Sequence, residues 1–181
     1  MSIFSGCIHI AGYLQTADPL LPDPTNLVCC WQVFEQLEIK YQGEQITLSS
    51  VTAYNDNKLT VVILDPLKRR VFTIIQQGNK VQIEQSERIK SNLPVKWLLI
   101  GVYLRKMPDT GWSFEHSDWT VKRDSSQVLL MQDNIIKVSL IEPGILDDTK
   151  ENTSQQSLTA QLQYFDLKLE VNITTLLRQA L

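Results

Sequence analysis

The sequence is poor in the residues that most often carry catalysis or bind metals. It holds two histidines and three cysteines among 181 residues, and a Gly-x-Ser-x-Gly motif is absent. Without Cys or His pairs at ligand spacing, a metal site has little support, and no cofactor is expected. His116 lies in the polar segment GWSFEHSDW, which is more simply a connection between a helix and a strand. We therefore predict no catalytic residues and no enzyme, with an esterase that uses His116 as the lower-ranked alternative.

Two further absences narrow the class of protein. No patch of Lys and Arg alternates with aromatic residues, and the net charge is −3, so nucleic-acid binding is not expected. The longest apolar run, residues 97–104, is far short of the about 20 residues that a membrane-spanning helix needs. The hydrophobic fraction of 43% and the charged fraction of 20% are ordinary for one globular domain.

The N-terminal part is distinguished by its prolines. Three of them fall within residues 19–24, and proline fixes φ and removes a hydrogen-bond donor. We expect residues 14–27 to form an extended tether to the folded body. Cys29 and Cys30 follow at once, and a disulfide between neighbours would demand a strained turn. The simpler interpretation is two small, buried apolar side chains.

Period-two alternation of apolar and polar residues predicts a β-rich body. Short turns join the first five strands, so these must be antiparallel, because parallel pairs need long crossovers. The predicted strands are 28–41, 45–54, 58–65, 70–76, 80–85, 118–123, 127–132, 135–141 and 158–173. Apolar positions in the last strand change parity between Tyr164 and Phe165, which predicts a β-bulge within a curved strand.

Two features stand out against this pattern. Residues 94–106 have helical spacing and are apolar on nearly all sides, which is typical of an enclosed helix, with a strand as the lower-ranked alternative. In the first strand, Glu35 falls on the apolar face. It could anchor the headgroup of a ligand, or a bulge could return it to solvent, and the displaced Phe34 favours the bulge.

The order of these segments resembles a family of bacterial outer-membrane lipoproteins related to LolB, the lipoprotein acceptor. The resemblance is carried by WQVFEQL, LTVVILDPLKRRVFTI, the glycine turn at 77–79, LPVKWLLIGVYL and YFDLKLEV. It covers about residues 28–172, and each matching segment is short, so its specificity lies in their order. Several members of that family are encoded among aryl-polyene and fatty-acid-like biosynthesis genes. The chain departs from the family after the helix, where Leu104 to Pro108 replaces an expected Tyr-Trp-Pro.

The resemblance implies a strongly curved antiparallel sheet, an unclosed half-barrel of the LolA/LolB type, with a helix packed in its concave face. It also implies a division into a lipobox remnant and tether (1–27), a LolB-like lipid-binding domain (28–175) and a C-terminal tail (176–181). Proteins of this type hold acyl chains in the hollow. Mainly apolar hollows with a few polar groups are typical ligand sites.

Cys7 gains meaning from the same resemblance. The segment Phe4-Ser5-Gly6-Cys7 is close to the bacterial lipobox, in which the cysteine carries a diacylglycerol. Only six residues precede Cys7, whereas a secretory signal needs about 15–30. Either the signal peptide is truncated because the start lies too far downstream, or the lipobox is accidental. A lipobox, a tether and a LolB-like body together favour lipidation of Cys7 in a full-length gene product, anchored at the periplasmic face of the outer membrane.

The predicted function is non-enzymatic binding or transfer of a hydrophobic ligand, namely a lipid, a lipoprotein acyl chain or a polyene-type product. Its partners would be that ligand, the membrane through the lipid anchor, and a periplasmic carrier protein. A structural lipoprotein with a filled core, acting through a protein partner, is the alternative. The residues predicted to line the ligand cavity are Trp31, Val33, Leu37, Leu48, Val61, Ile63, Phe72, Leu98, Leu99 and Val102.

Overall fold

The computed structural model describes residues 19–87, 92–114, 118–142 and 159–181. These residues form ten β-strands, one α-helix and two short 3-10 helices, Pro24–Asn26 and Asp109–Gly111. The strands are β1 (Trp31–Tyr41), β2 (Glu44–Asn55), β3 (Lys58–Leu64), β4 (Arg70–Gln77), β5 (Lys80–Gln85), β6 (Trp119–Arg123), β7 (Gln127–Gln132), β8 (Ile135–Ile141), β9 (Thr159–Tyr164) and β10 (Leu169–Ala180). The helix α1 spans Val95–Lys106.

All ten strands belong to one antiparallel sheet in the order β5-β4-β3-β2-β1-β10-β9-β8-β7-β6. The two halves are meanders, and β1 joins them by pairing with β10. The sheet does not close on itself, because β5 and β6 are its two edges. The prediction of a mainly β, unclosed antiparallel half-barrel with one helix is therefore confirmed.

Left-handed residues set the tight turns between the strands. Asp56 and Asn57 have φ of 48° and 57°, and Asp133 and Asn134 have φ of 52° and 63°. Two consecutive residues with positive φ form the type I′ geometry that matches the twist of a hairpin, and Asp and Asn tolerate it well. Because these residue types are visible in the sequence, most predicted strand ends lie within one or two residues of the observed ones.

The prediction of one continuous, bulged strand over residues 158–173 is wrong, because two strands lie there. The parity change at Tyr164 and Phe165 marks a hairpin turn between β9 and β10, not a bulge, and Lys168 takes a left-handed φ of 50° to make it. This turn contains no Gly, Pro or Asn, so its residue types did not predict a turn. A real irregularity lies further along β10, where Phe34 pairs with Leu177 and Glu35 with Thr175, which leaves Leu176 as the extra residue.

The helix lies in the hollow because the chain must pass from one edge of the sheet to the other. It follows edge strand β5 and precedes edge strand β6. Tyr103 donates a hydrogen bond to Gln76 Oε1 on β4 at 2.8 Å. A Cβ on Gly101 would meet Leu162 of β9, and the Trp97 ring lies 6.2 Å from that of Tyr164. One helix thus contacts both halves of the sheet.

Both ends of the described chain are more ordered than the sequence suggests. Within the predicted tether, Leu27 is buried in the core and Gln76 donates to the carbonyl of Pro22 at 2.9 Å. Residues 176–180, assigned above to a tail, belong to β10. The predicted burial of the adjacent cysteines is wrong, because Cys29 is exposed and Cys30 half-buried, and the structure joins them in a disulfide.

Candidate functional site

A cavity of about 40 Å³ lies between the helix and the concave face of the sheet. Its lining is apolar apart from one polar cluster, formed by Glu35, Ser50, Thr52 and Arg105. The lining residues are Glu35, Leu37, Ser50, Thr52, Val61, Ile63, Ile74, Leu98, Leu99, Gly101, Val102, Arg105, Leu162, Val171 and Ile173. They come from the helix and from strands of both halves of the sheet, so the hollow is where the two halves meet.

The structure brings six of the ten predicted cavity residues to this lining. They are Leu37, Val61, Ile63, Leu98, Leu99 and Val102. Val33, Leu48 and Phe72 are buried but lie outside the lining. Trp31 is half-buried near the C-terminal end of α1, where its ring lies 6.3 Å from that of Tyr54 and 5.6 Å from Lys106 Nζ.

Glu35 is the polar residue of the concave face. It is 5% exposed, and the β1–β2 ladder runs without interruption through it, so the favoured interpretation of a bulge that returns it to solvent is wrong. The bulge in this region belongs to β10, at Leu176. Glu35 therefore stays on the face that holds Val33 and Leu37, where the second interpretation placed it.

Arg105 fastens the C-terminal part of the helix to the sheet. Its guanidinium pairs with Glu35 on β1 and with Glu142, just after β8, at 3.0 Å, and it donates to Thr175 Oγ1 on β10 at 3.2 Å. The side chains of Arg105, Glu35 and Glu142 are only 3%, 6% and 14% exposed. Burial alone would lower the pKa of Arg105, but the two carboxylates outweigh that effect and raise it. The guanidinium is therefore a fixed positive charge.

Two hydroxyl groups beside Glu35 have spare hydrogen-bonding capacity. Ser50 lies directly opposite Glu35 in the ladder, and its Oγ is 3.5 Å from Glu35 Oε2, at the outer limit of a hydrogen bond. Thr52 is 1% exposed, and its Oγ1 has no hydrogen-bond partner among the residues that the structure describes. A buried hydroxyl without a partner costs about 1–3 kcal/mol, so it calls for a physical reason.

Sequence reasoning missed Arg105, Ser50 and Thr52. Arg105 follows Leu98 and Val102 at helical spacing, which would have placed it on the same helix face as these two cavity residues. On β2, Ser50 and Thr52 occupy the inward positions between Leu48 and Tyr54. Two hydroxyl residues at consecutive inward positions of a strand are a signal of a polar spot in a core.

Lys106 is the next residue after Arg105 on the helix. The pH dependence of stability tests whether its ammonium group is buried. Burial, followed by the positive charges of Arg178 and Arg105, lowers the pKa of Lys106 to about 8 from an ordinary 10.5. Between these values the unfolded chain binds a proton that the folded chain does not, so stability should rise as pH increases from about 8 to 10.5. Below pH 8 Lys106 is protonated in both states, so the folded protein bears the full free-energy cost of a buried ammonium group.

We expect Lys106→Met to stabilise the protein at pH 7 by about 2 kcal/mol. The protonation penalty of about 3 kcal/mol disappears, offset by the loss of a cation–π contact with Trp31 worth about 0.5–1 kcal/mol. Urea unfolding at pH 7, 8, 9 and 10 should show the advantage of the variant shrinking as pH rises. Parallel curves for the two proteins would mean that Lys106 is solvated.

The other predicted features are placed as follows. Cys7 and His116 lie outside the described residues. Among the described residues, no group of three or more His, Cys, Asp or Glu side chains is placed to hold a metal ion. In the same part of the chain, no helix is long and apolar enough to cross a membrane.

The fold and site define a class of protein, an antiparallel half-barrel with a helix across an apolar hollow. Comparison with protein families matches residues 32–177 to the family described as "protein of unknown function (DUF3261)", and the chain belongs to this family. The match begins one residue into β1 and ends within β10, so it covers the sheet and the helix together. A comparison with curated proteins gave no match.

Proposed function

We propose that this chain is a non-enzymatic protein that binds or transfers a hydrophobic ligand between α1 and the concave face of the sheet. The ligand would be a lipid, a lipoprotein acyl chain or a polyene-type product. The observation that carries the proposal is the apolar cavity between the helix and both halves of the sheet. The resemblance to LolB-related lipoproteins supports the same use of the hollow. It is also the ground on which we propose that the protein is anchored through Cys7 at the periplasmic face of the outer membrane.

Ligand entry would require the helix to move away from the sheet. The cavity of about 40 Å³ has room for two or three water molecules, whereas drug-sized ligands occupy pockets of about 300–1,000 Å³. Leu98 and Val102, which line the cavity, are only half-buried, so this face of the helix is closest to solvent. Each enclosed CH₂ group would contribute about 0.8 kcal/mol toward displacing the helix.

The small cavity also favours the second candidate function. A hollow filled mainly by its own side chains is what a structural lipoprotein acting through a protein partner would have. A hydrophobic compound bound to the purified protein separates the two functions. We expect organic extraction of the detergent-free full chain to release such a compound in stoichiometric amount, identified by mass spectrometry.

The variant Val102→Phe tests whether the cavity is the binding site. The added ring would occupy the free space, and the half-buried position should tolerate it, so the amount of extracted compound should fall at least about tenfold in a folded protein. The matched control is Val121→Phe on edge strand β6, also half-buried and outside the lining. If both variants retain the compound, the cavity does not bind it. If the parent protein carries none and takes up no hydrophobic probe, the filled-core candidate replaces ours.

A further inference from the structure

The concave face carries a polar strip, defined here as Glu35, Ser50 and Thr52. Glu35 and Ser50 face each other across the β1–β2 ladder, and Thr52 is the next inward residue of β2. The three residues are 5%, 4% and 1% exposed, and each lines the cavity. The surrounding lining comes from Leu37, Val61 and other apolar side chains, so the strip is a localised polar site in an apolar hollow.

The hydrogen bonds around the strip leave specific groups unused. Arg105 makes four hydrogen bonds, one to Glu35, two to Glu142 and one to Thr175, so most of its five N–H donors are in use. By contrast, within the described part of the chain the Thr52 hydroxyl has no hydrogen-bond partner, and the Ser50 hydroxyl makes one long contact, to Glu35 Oε2. The strip can therefore both donate and accept one or two further hydrogen bonds, through hydroxyl groups and a carboxylate oxygen.

The charges around the strip restrict what can bind there. A ligand carboxylate would lie next to Glu35, whose attraction for Arg105 it would have to replace. A ligand cation would meet Arg105 at the same wall of the cavity. An uncharged group that both donates and accepts, such as a hydroxyl or an amide, satisfies Thr52 and Glu35 without disturbing the ion pair. The free space of about 40 Å³ is the size of such a group.

We propose that the polar strip binds the uncharged hydrogen-bonding head of a long-chain amphiphile, a hydroxyl or an amide, in preference to a carboxylate. This inference rests on the proposed function, since the chain of the ligand would occupy the apolar part of the hollow. It gives the unpartnered Thr52 hydroxyl a role, because the ligand head would supply the missing partner.

The experiment compares three ligands that share a 12-carbon chain, dodecan-1-ol, dodecanamide and dodecanoate. Each would displace the uncharged fluorescent probe N-phenyl-1-naphthylamine from the full-length protein at pH 8, where dodecanoate is ionised. We expect the alcohol and the amide to bind at least about tenfold more tightly than dodecanoate, a difference of about 1.4 kcal/mol.

Two variants assign the preference to the strip. Thr52→Val keeps the side-chain shape and removes the hydroxyl, so it should reduce the preference to about threefold or less while raising the melting temperature. Glu35→Gln should strengthen dodecanoate binding by removing a like charge. The matched control is Thr60→Val, a half-buried position of β3 outside the cavity lining, which should leave the preference unchanged.

Each outcome has a separate meaning. Equal affinity for the three heads in the parent protein would overturn the role of the strip and leave the proposed function standing. The same holds if Thr52→Val raises the melting temperature with an unchanged preference, since the hydroxyl would then be only a structural cost. If the probe and all three ligands fail to bind, the proposed function itself fails, and this inference with it.

Discussion

Replacing Arg105 with methionine is expected to lower the free energy of unfolding by about 3–5 kcal/mol. The substitution removes the charge that neutralises Glu35 and Glu142, whose side chains are 6% and 14% exposed. Both carboxylates would then remain away from water without the guanidinium that pairs with them, and a buried charge that has lost its partner costs far more than an exposed ion pair contributes. Urea denaturation of the two proteins, analysed by linear extrapolation, measures the difference.

Two companion variants show whether burial is the cause. Lys40→Met removes one partner of an exposed ion pair, Lys40 with Glu170 at 3.5 Å, and should change stability by about 1 kcal/mol or less. The double variant Glu35→Gln/Arg105→Met also removes one of the two carboxylates that Arg105→Met leaves unpaired. It should therefore recover part of the lost free energy of unfolding. If Arg105→Met costs no more than Lys40→Met, the cluster is hydrated and does not hold the helix on the sheet.

The same cluster links stability to the proposed function. Arg105 connects α1 to β1, β10 and the end of β8, so the C-terminal part of the helix is tied to the centre of the sheet. Movement of the whole helix would break a buried ionic network, whereas movement around this point keeps the network intact. An Arg105→Met protein that stays folded in stabilising buffer should therefore exchange the fluorescent probe faster than the parent protein.

Most of the fold could be predicted from the sequence because its determinants are local. Period-two alternation and Asp, Asn and Gly turns define hairpins one at a time, and a chain of hairpins gives the order of neighbouring strands. The turn at Phe165–Lys168 escaped because it contains no Gly, Pro or Asn, and its one Asp, Asp166, is a weak turn signal when it stands alone. Its parity change has the same appearance in sequence as a bulge.

The polar part of the site could not be predicted because its contacts are not local. Arg105 meets Glu35 across 70 residues and Glu142 across 37. Before the register is known, a lone Glu on an apolar strand face and an Arg near a helix end each have an ordinary local explanation. Leu37 was easier, since alternation places it on the apolar face of its strand. Val61 and Ile63 belong to a strand that is apolar on both sides, so alternation alone does not decide which of its faces points inward.

The second large effect is expected at Gly101, where α1 approaches β9 most closely. A Cβ added there would lie 2.5 Å from Leu162 Cδ1 and 2.9 Å from Tyr164 Oη, and both residues are almost fully buried. Gly101→Val should lower the free energy of unfolding by about 3 kcal/mol, because overpacking of a dense core forces the helix outward. Gly101→Ala should cost about 1–2 kcal/mol, since its better helix propensity offsets part of the clash.

A second substitution in Leu162 tests whether the close approach of α1 to β9 causes the loss of stability in the Gly101 variants. Leu162→Val removes the atom nearest the new Cβ, so Gly101→Ala/Leu162→Val should be more stable than the sum of the single changes by about 1 kcal/mol. Additive losses would show that the helix does not lie against β9 at this point.

Because Gly101 and Leu162 both line the cavity, a helix displaced by Gly101→Ala in a protein that remains folded should also enlarge the hollow. Faster or tighter uptake of the hydrophobic probe by Gly101→Ala, despite its lower stability, would then connect the packing of this helix to ligand entry.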